Sequence, residues 1–361
     1  MKTIRVLHLL EESWPNRLGG VECFVDSLHR DLGFASTVLD YRAVFPKALS
    51  GTRSSWKLLQ SMASWHEPDL PESDLVVFHQ IIPWGIPWML KLAQQRRCLF
   101  VVHDWFVQCQ RVHLLNEDGP CAGPGWIKCV RCWGRGKNLL LSLGYQGVRQ
   151  HYASMLAEAM PFAITQKSFF ETVPEAIHFL PYGVSPTRAQ IFQRLYKNEG
   201  EDLVYLGSDT VHKGLKTLIA ELEISEYVKN GHHLHWFGDR TLLSDELPPW
   251  VRYHGPVLDA LDGPNIKALI LPSLWLETGP LVLLEALSVG LPVLAKRGSI
   301  SSEYTGYSGV HLYDSLQSLE DLLKMSRAQL WQTTSRVMPI KYDHVLEQHR
   351  KTYLSLVDAT F

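Results

Sequence analysis

Two carboxylates with seven residues between them, Glu277 and Glu285, bracket the stretch Glu277-Thr278-Gly279-Pro280-Leu281-Val282-Leu283-Leu284-Glu285. Thr278 reads as an N-cap, and Pro280 sits where a helix begins. Leu281 and Glu285 are four residues apart and share a helix face. Leu283, Leu284 and Leu287 can turn to a core. Gly290 ends the helix, and Leu291 to Ala295 reads as a strand. Such a helix offers its N-terminus to an anion, with one carboxylate before it and one inside it. A sugar joined to a nucleotide diphosphate fits that pattern, with phosphate at the helix start and hydroxyls on the carboxylates.

Three further sites carry residue types suited to the same chemistry. Gly19-Gly20 lies between a first strand and a first helix, where glycine lets backbone approach a phosphate. An ordinary turn is the plain alternative. Gly207-Ser208-Asp209-Thr210-Val211-His212-Lys213-Gly214 follows a strand and precedes a helix. Lys213 there is either a cation for a diphosphate leaving group or a solvated loop lysine. His103-Asp104 closes an apolar strand. Its histidine either donates to a sugar hydroxyl and steadies transition-state charge or is satisfied in the core.

Cys109, Cys121, Cys129 and Cys132 fall in one Gly/Pro-rich segment. The Cys129-Val130-Arg131-Cys132 spacing lets two thiolates reach one tetrahedral metal. Four cysteines suffice for a structural zinc, which would order a loop that has no core of its own. An iron–sulfur cluster, unconnected thiols, or disulfides outside the cytosol are the alternatives. Cys23 and Cys98 lie on apolar faces and read as core.

These residues need a scaffold, and the elements around them supply one. Ile4 to Leu10, Leu75 to Phe78, Cys98 to Val102, Phe162 to Thr165 and His178 to Leu180 read as strands. So do Leu203 to Leu206, His233 to Phe237, Val251 to His254 and Ala268 to Leu271. Val21, Phe24, Val25, Leu28 and Leu32 repeat at helical spacing, and Leu215 to Glu223 reads as another helix. Strand-helix alternation on both sides of Pro181-Tyr182-Gly183-Val184 argues for two doubly wound α/β domains facing across a cleft. The 361 residues suit two domains, 46% of them are hydrophobic, and the net charge of −2 excludes bulk nucleic-acid binding. No signal peptide is expected, and the most apolar stretch, Leu75 to Ala93, is broken by Pro83, Gly85 and Pro87. A cytoplasmic protein with reduced cysteines follows.

In chain order these pieces resemble the GT-B fold, family 4 glycosyltransferases of the group 1 type, in the surface-polysaccharide subset with a four-cysteine insert. Arg5 to Leu32 is similar to the family's first strand, Gly-Gly loop and helix, and His103-Asp104 to its His-Asp step. Pro181-Tyr182-Gly183-Val184 is similar to its interdomain Pro-Asn-Gly-Val. Leu206-Gly207 through Lys213-Gly214 is similar to its Gly-Arg…Lys-Gly segment, Phe237-Gly238-Asp239 to its Gly-Asp-Gly turn, and Glu277 to Glu285 to its Glu-seven-Glu signature. The resemblance implies an N-terminal acceptor-side Rossmann-like domain over 1–185 with a Cys-rich insert at 105–135. It also implies a nucleotide-sugar domain over 186–340, and a C-terminal helix over 341–361 that can return to the first domain.

By that resemblance, Glu285 binds the nucleotide ribose and Glu277 the donor sugar. Thr278, Pro280 and the amides of Gly279 and Leu281 frame the phosphate or sugar. Lys213 with the Gly19 and Gly20 amides holds the diphosphate, and His103 lies under the sugar. The implied reaction is retaining, hexosyltransferase-type transfer from a UDP- or GDP-sugar, without a catalytic divalent metal. The acceptor is a glycan or lipid-linked glycan of polysaccharide or glycoconjugate biosynthesis. Two departures stand out: Ser208 and Asp209 replace the family's arginine, and Tyr182 replaces its asparagine. Arg240 is expected to supply the missing charge. Trp56, Trp65, Trp84, Trp88, Trp105, Trp126 and Trp133 leave room for peripheral membrane contact, or fill a core. The competing readings are a nucleotide-sugar epimerase of the same fold and a catalytically degenerate nucleotide-sugar-binding subunit.

Overall fold

The structure is a computed structural model. It describes residues 4–11, 19–41, 69–79, 85–105, 109, 115–116, 119–121, 127–129, 132, 154–166, 178–196, 199–243, 246–256, 265–332 and 341–358. The chain forms two compact units. Unit 1 takes residues 1–112, 124–182 and 343–361, and unit 2 takes 113–123 and 183–342.

Unit 1 is built on a six-stranded sheet: β1 (Arg5–Leu10), β2 (Ala35–Asp40), β3 (Leu75–Phe78), β4 (Cys98–Val102), β7 (Phe162–Ile164) and β8 (His178–Phe179), in the order β2-β1-β3-β4-β7-β8. Every pairing is parallel. β3 and β4 are buried along their whole length, which is why they read as unbroken apolar runs. Helix α1 (Gly20–Asp31) buries Phe24, Val25 and Leu28. Between β4 and β7 the short strands β5 (Leu115–Asn116) and β6 (Gly119–Pro120) pair antiparallel. Helix α2 (Ile86–Ala93) buries Trp88 and Met89. Trp88 and Trp105 are therefore core residues rather than an interfacial surface. The other tryptophans named for that role in the first domain lie outside the described residues.

Unit 2 carries β9 (Glu199–Leu206), β10 (Leu234–Phe237), β11 (Val251–Tyr253), β12 (Ile266–Leu271), β13 (Val293–Lys296) and β14 (Val310–Tyr313), ordered β11-β10-β9-β12-β13-β14 and again all parallel. Alternate residues of β9 feed opposite cores. Val204 and Leu206 join Leu283 and Leu287, while Leu203 and Tyr205 join Leu218 and Trp236. The helices are α3 (Pro186–Tyr196), α4 (Leu215–Glu223), α5 (Glu226–Lys229), α6 (Leu281–Ser288), α7 (Leu316–Leu323) and α8 (Arg327–Gln332). Chain order reverses at β9, which is flanked by β10 and β12. Ligands of doubly wound sheets bind at that switch point, outside the carboxyl ends of the strands.

Helix α9 (Tyr342–Asp358) follows unit 2 in the chain but is hydrogen-bonded to unit 1. Gln348 donates to the carbonyl of Phe179 at 2.7 Å, and the Arg350 guanidinium to that of Leu32 at 2.9 and 3.2 Å. Val345, Leu346, His349 and Tyr353 are buried beneath it.

Candidate nucleotide-sugar site

The β9, β10 and β12 ends of unit 2 gather most of the singled-out residues. After β9 the chain makes a 3₁₀ turn, Val211–Lys213, closed by Gly214 at φ 74°. A Cβ at Gly214 would lie 2.0 Å from the Pro272 carbonyl oxygen, so only glycine lets this loop approach the one after β12. The two loops are also joined by the Leu274 amide, which donates to the His212 carbonyl at 2.8 Å.

That approach brings Lys213 to Glu277. The ammonium donates to both carboxylate oxygens, at 2.8 and 3.0 Å. Ser273 Oγ and Trp275 Nε1 donate to Oε1 as well, at 2.6 and 2.9 Å. Burial on its own would raise the Glu277 pKa, but the Lys213 charge and these donors outweigh it and hold the carboxyl below its usual range. Lys213 also lies 5.6 Å from the Trp275 ring. An ammonium has three donors, so the third remains for an anion. Ser273 and Trp275 were not singled out in sequence. The signal was their nearness in sequence, since both donors lie within four residues of Glu277.

The N-cap of helix α6 lies two residues later than the sequence suggested. Pro280 is the N-cap, with no side-chain capping bond. Thr278 is buried and is not the cap. Glu285 is 4% exposed, and its Oε1 accepts from Arg188 Nε at 2.7 Å. Its Oε2 is buried with no hydrogen-bond partner. An orphaned carboxylate oxygen is costly and calls for a ligand hydroxyl. Arg188, on α3, was not foreseen.

Asp209 does not face a ligand. It is 3% exposed and turned into the loop after β10, where it accepts from Thr241, Leu242 and Leu243. Arg240 in that loop is exposed. Its Nε donates to the Leu243 carbonyl at 2.6 Å, and its guanidinium lies 5.8 Å from the Tyr253 ring.

In unit 1, Gly19 is the N-cap of α1 and Gly20 its first residue. The buried Glu22 folds over them, its Oε2 2.1 Å from where a Gly19 Cβ would be. The start of α1 is thus faced by the protein's own carboxylate. His103 is 7% exposed, with both ring nitrogens engaged: Nε2 lies 2.8 Å from His79 Nδ1, and Nδ1 lies 2.5 Å from the Tyr182 hydroxyl. His79 Nε2 in turn lies 3.0 Å from His8 Nδ1. The row therefore leaves neither His103 nitrogen to donate to a sugar. A neutral imidazole has one donor and one acceptor, so all three rings must point their protons in one sense.

The zinc expectation is not supported. Cys109, Cys121, Cys129 and Cys132 are all described, and none is in a disulfide. Among the described residues no group of three or more His, Cys, Asp or Glu side chains is placed to hold a metal. A tetrahedral zinc needs four donors converging within about 2.3 Å. Cys98 is core, its thiol pushed up to about 12 by burial.

No family model matches the chain, and no curated relative matches it by sequence. Solved structures do match. Anabaena HepE in complex with UDP-glucose aligns at TM-score 0.54 and 12% identity, over 98% of this chain and 96% of its own. WaaG, a glycosyltransferase involved in lipopolysaccharide biosynthesis, aligns at TM-score 0.52 and 16% identity, over 97% and 95%. An E. coli trehalose-6-phosphate protein bound with UDP-2-fluoro glucose aligns at TM-score 0.53 and 11% identity, over 99% of each chain. The likeness shows the fold: two Rossmann-like α/β units of the GT-B type.

Proposed function

We propose that this chain is a nucleotide-sugar-dependent glycosyltransferase that retains anomeric configuration and transfers a hexose to a glycan or lipid-linked glycan. The observation that carries the reading is the pair of glutamates at the switch point of unit 2. Glu277 is charged and tied to Lys213, and Glu285 holds out one unpartnered oxygen. Glu285 Oε2 accepts from a ribose hydroxyl, and Glu277 orients the donor sugar. Lys213 gives its remaining donor to the diphosphate, with the start of α6 and Arg240 adding positive potential. The amides of Gly279 and Leu281 lie along this path. No protein nucleophile or divalent metal is required, because the diphosphate oxygen accepts the acceptor's proton on the face it leaves. His103 has no part as a hydrogen-bond donor in this scheme, since both ring nitrogens are bound within unit 1. That HepE was solved with UDP-glucose supports a UDP-sugar donor.

A thermal-shift screen of UDP-, GDP-, ADP- and dTDP-sugars tests the reading. The matching donor at a hundred times its dissociation constant stabilises the folded protein by about 2.7 kcal/mol. Activity that survives a chelator follows from the metal-free scheme. A chain stabilised by none of the four donor classes is not a glycosyltransferase of this kind.

A further inference from the structure

We infer that Asp209 is a positioning residue for Arg240, replacing a cation on one strand end by building the loop that presents a cation from the next. The inference rests on the glycosyltransferase reading, in which a diphosphate needs positive charge at this end of the sheet.

The geometry is specific. Asp209 follows β9, yet its carboxylate takes five hydrogen bonds from the loop after β10. Oδ1 accepts from the Thr241 amide at 2.9 Å and from Thr241 Oγ1 at 2.8 Å. Oδ2 accepts from the amides of Thr241, Leu242 and Leu243 at 3.0, 2.7 and 2.6 Å. Successive amides converging on one anion form a nest of the kind that commonly holds phosphate. Here the protein fills it with its own carboxylate, so these amides fix the path of the chain instead of binding a ligand.

The weld continues along the backbone. The Asp209 amide donates to the Asp239 carbonyl at 3.2 Å, and the Gly207 amide to the Phe237 carbonyl at 2.9 Å. Gly238 has φ 148°, and a Cβ there would lie 1.9 Å from the Gly207 carbonyl oxygen. Arg240 rides on this fixed loop. Leu243, whose amide Asp209 holds, gives its carbonyl to Arg240 Nε. Tyr253, whose ring lies beside the guanidinium, donates its hydroxyl to the Gly238 carbonyl at 3.0 Å.

Simple electrostatics and positioning make opposite predictions for Asp209. If it were only a negative charge near a diphosphate, neutralising it would tighten binding. If it positions Arg240, neutralising it weakens binding. Calorimetric titration of the intact chain with UDP, UMP, GDP and GMP separates the two. For the diphosphate that binds the wild type, Asp209→Asn and Arg240→Ala each raise Kd about tenfold, and the double variant is no worse than Arg240→Ala alone. The matching monophosphate changes little in all three, a split that general loosening of the fold would not give. Thr241→Val removes one of the five bonds, leaves the buried carboxylate satisfied, and shows a smaller loss confined to the diphosphate. This second variant decides the matter if Asp209→Asn does not fold. An Asp209→Asn protein that binds diphosphate as well as wild type or better overturns the inference while leaving the reading beneath it intact. So does a Thr241→Val protein with no diphosphate loss. A wild-type chain that binds neither UDP nor GDP overturns both.

Discussion

Glu285 is held by one oxygen and bare at the other. Arg188 holds Oε1 and fixes the rotamer, so Oε2 is aimed before any ligand arrives. A hydrogen bond to a charged group is worth about 1.5–3 kcal/mol, so Glu285→Gln should weaken nucleoside diphosphate binding by roughly tenfold to a hundredfold, read by titration. Removing Arg188 instead should act on stability, because it leaves a buried carboxylate without its cation. The glutamate pair and Lys213 were legible from type and spacing. Arg188 was not, since it meets Glu285 across 97 residues of sequence. The partners of Asp209 were hidden for the same reason. Its donors stand 32 to 34 residues away, and nothing local announces that an aspartate in a Gly-Lys loop will turn inward. The donor and core readings of His103 could not be separated in sequence because its neighbours in the row, His8 in β1 and His79 just after β3, are 24 residues away or more and meet it only through the sheet.

At the scale of elements, the site depends on loops that pass closer than a side chain allows. Gly214 couples a left-handed φ with the approach to Pro272, and Lys213 is its immediate neighbour. Gly214→Ala adds backbone strain of about 1–3 kcal/mol and pushes the β9 and β12 loops apart. The expected result is a lower urea midpoint with unchanged slope, together with weaker donor binding as Lys213 moves from Glu277. Most strands were legible because buried parallel strands are apolar runs. β2 and β14 were not. β2 is Ala-Ser-Thr-Val-Leu-Asp on the edge of its sheet, with alternating exposure and too little apolar character to stand out. β14, Val-His-Leu-Tyr, is also an edge strand and only half buried. The N-cap of α6 was misplaced by two residues because Thr278 has the right chemistry, while Pro280 closes the first turn with its carbonyl.

At the scale of the whole molecule, the alternation of strands and helices on both sides of residue 182 made the two-unit α/β architecture readable. The return of α9 to unit 1 has a consequence for pH. His8, His79 and His103 are buried in a row, and His349 of α9 is buried near them, its Nε2 3.3 Å from the Pro181 carbonyl. Burial pushes His8 and His103 down to about 3 and His349 to about 4, and His79 also well below its usual value. These groups bind fewer protons folded than unfolded. Their contribution is complete above the unfolded value near 6.5 and is lost as pH falls below it. Each histidine adds a slope of up to about 1.4 kcal/mol per pH unit in that window. Calorimetric melts at pH 7, 6 and 5 should show a steep loss of stability, and His79→Gln should flatten it. A melting temperature flat from pH 7 to 5 would contradict the buried row.

Unit 1 is interrupted by the whole of unit 2 and closed by α9. On the ribosome, domains ordinarily mature in the order in which they emerge. Here the strands of unit 1 come out first and must wait, uncovered, while residues 183–342 are made. Only then does the helix that caps Phe179, Pro181 and Leu32 appear. The first-born unit is therefore the last to finish, and its sheet waits for its capping helix through nearly half of the chain's synthesis.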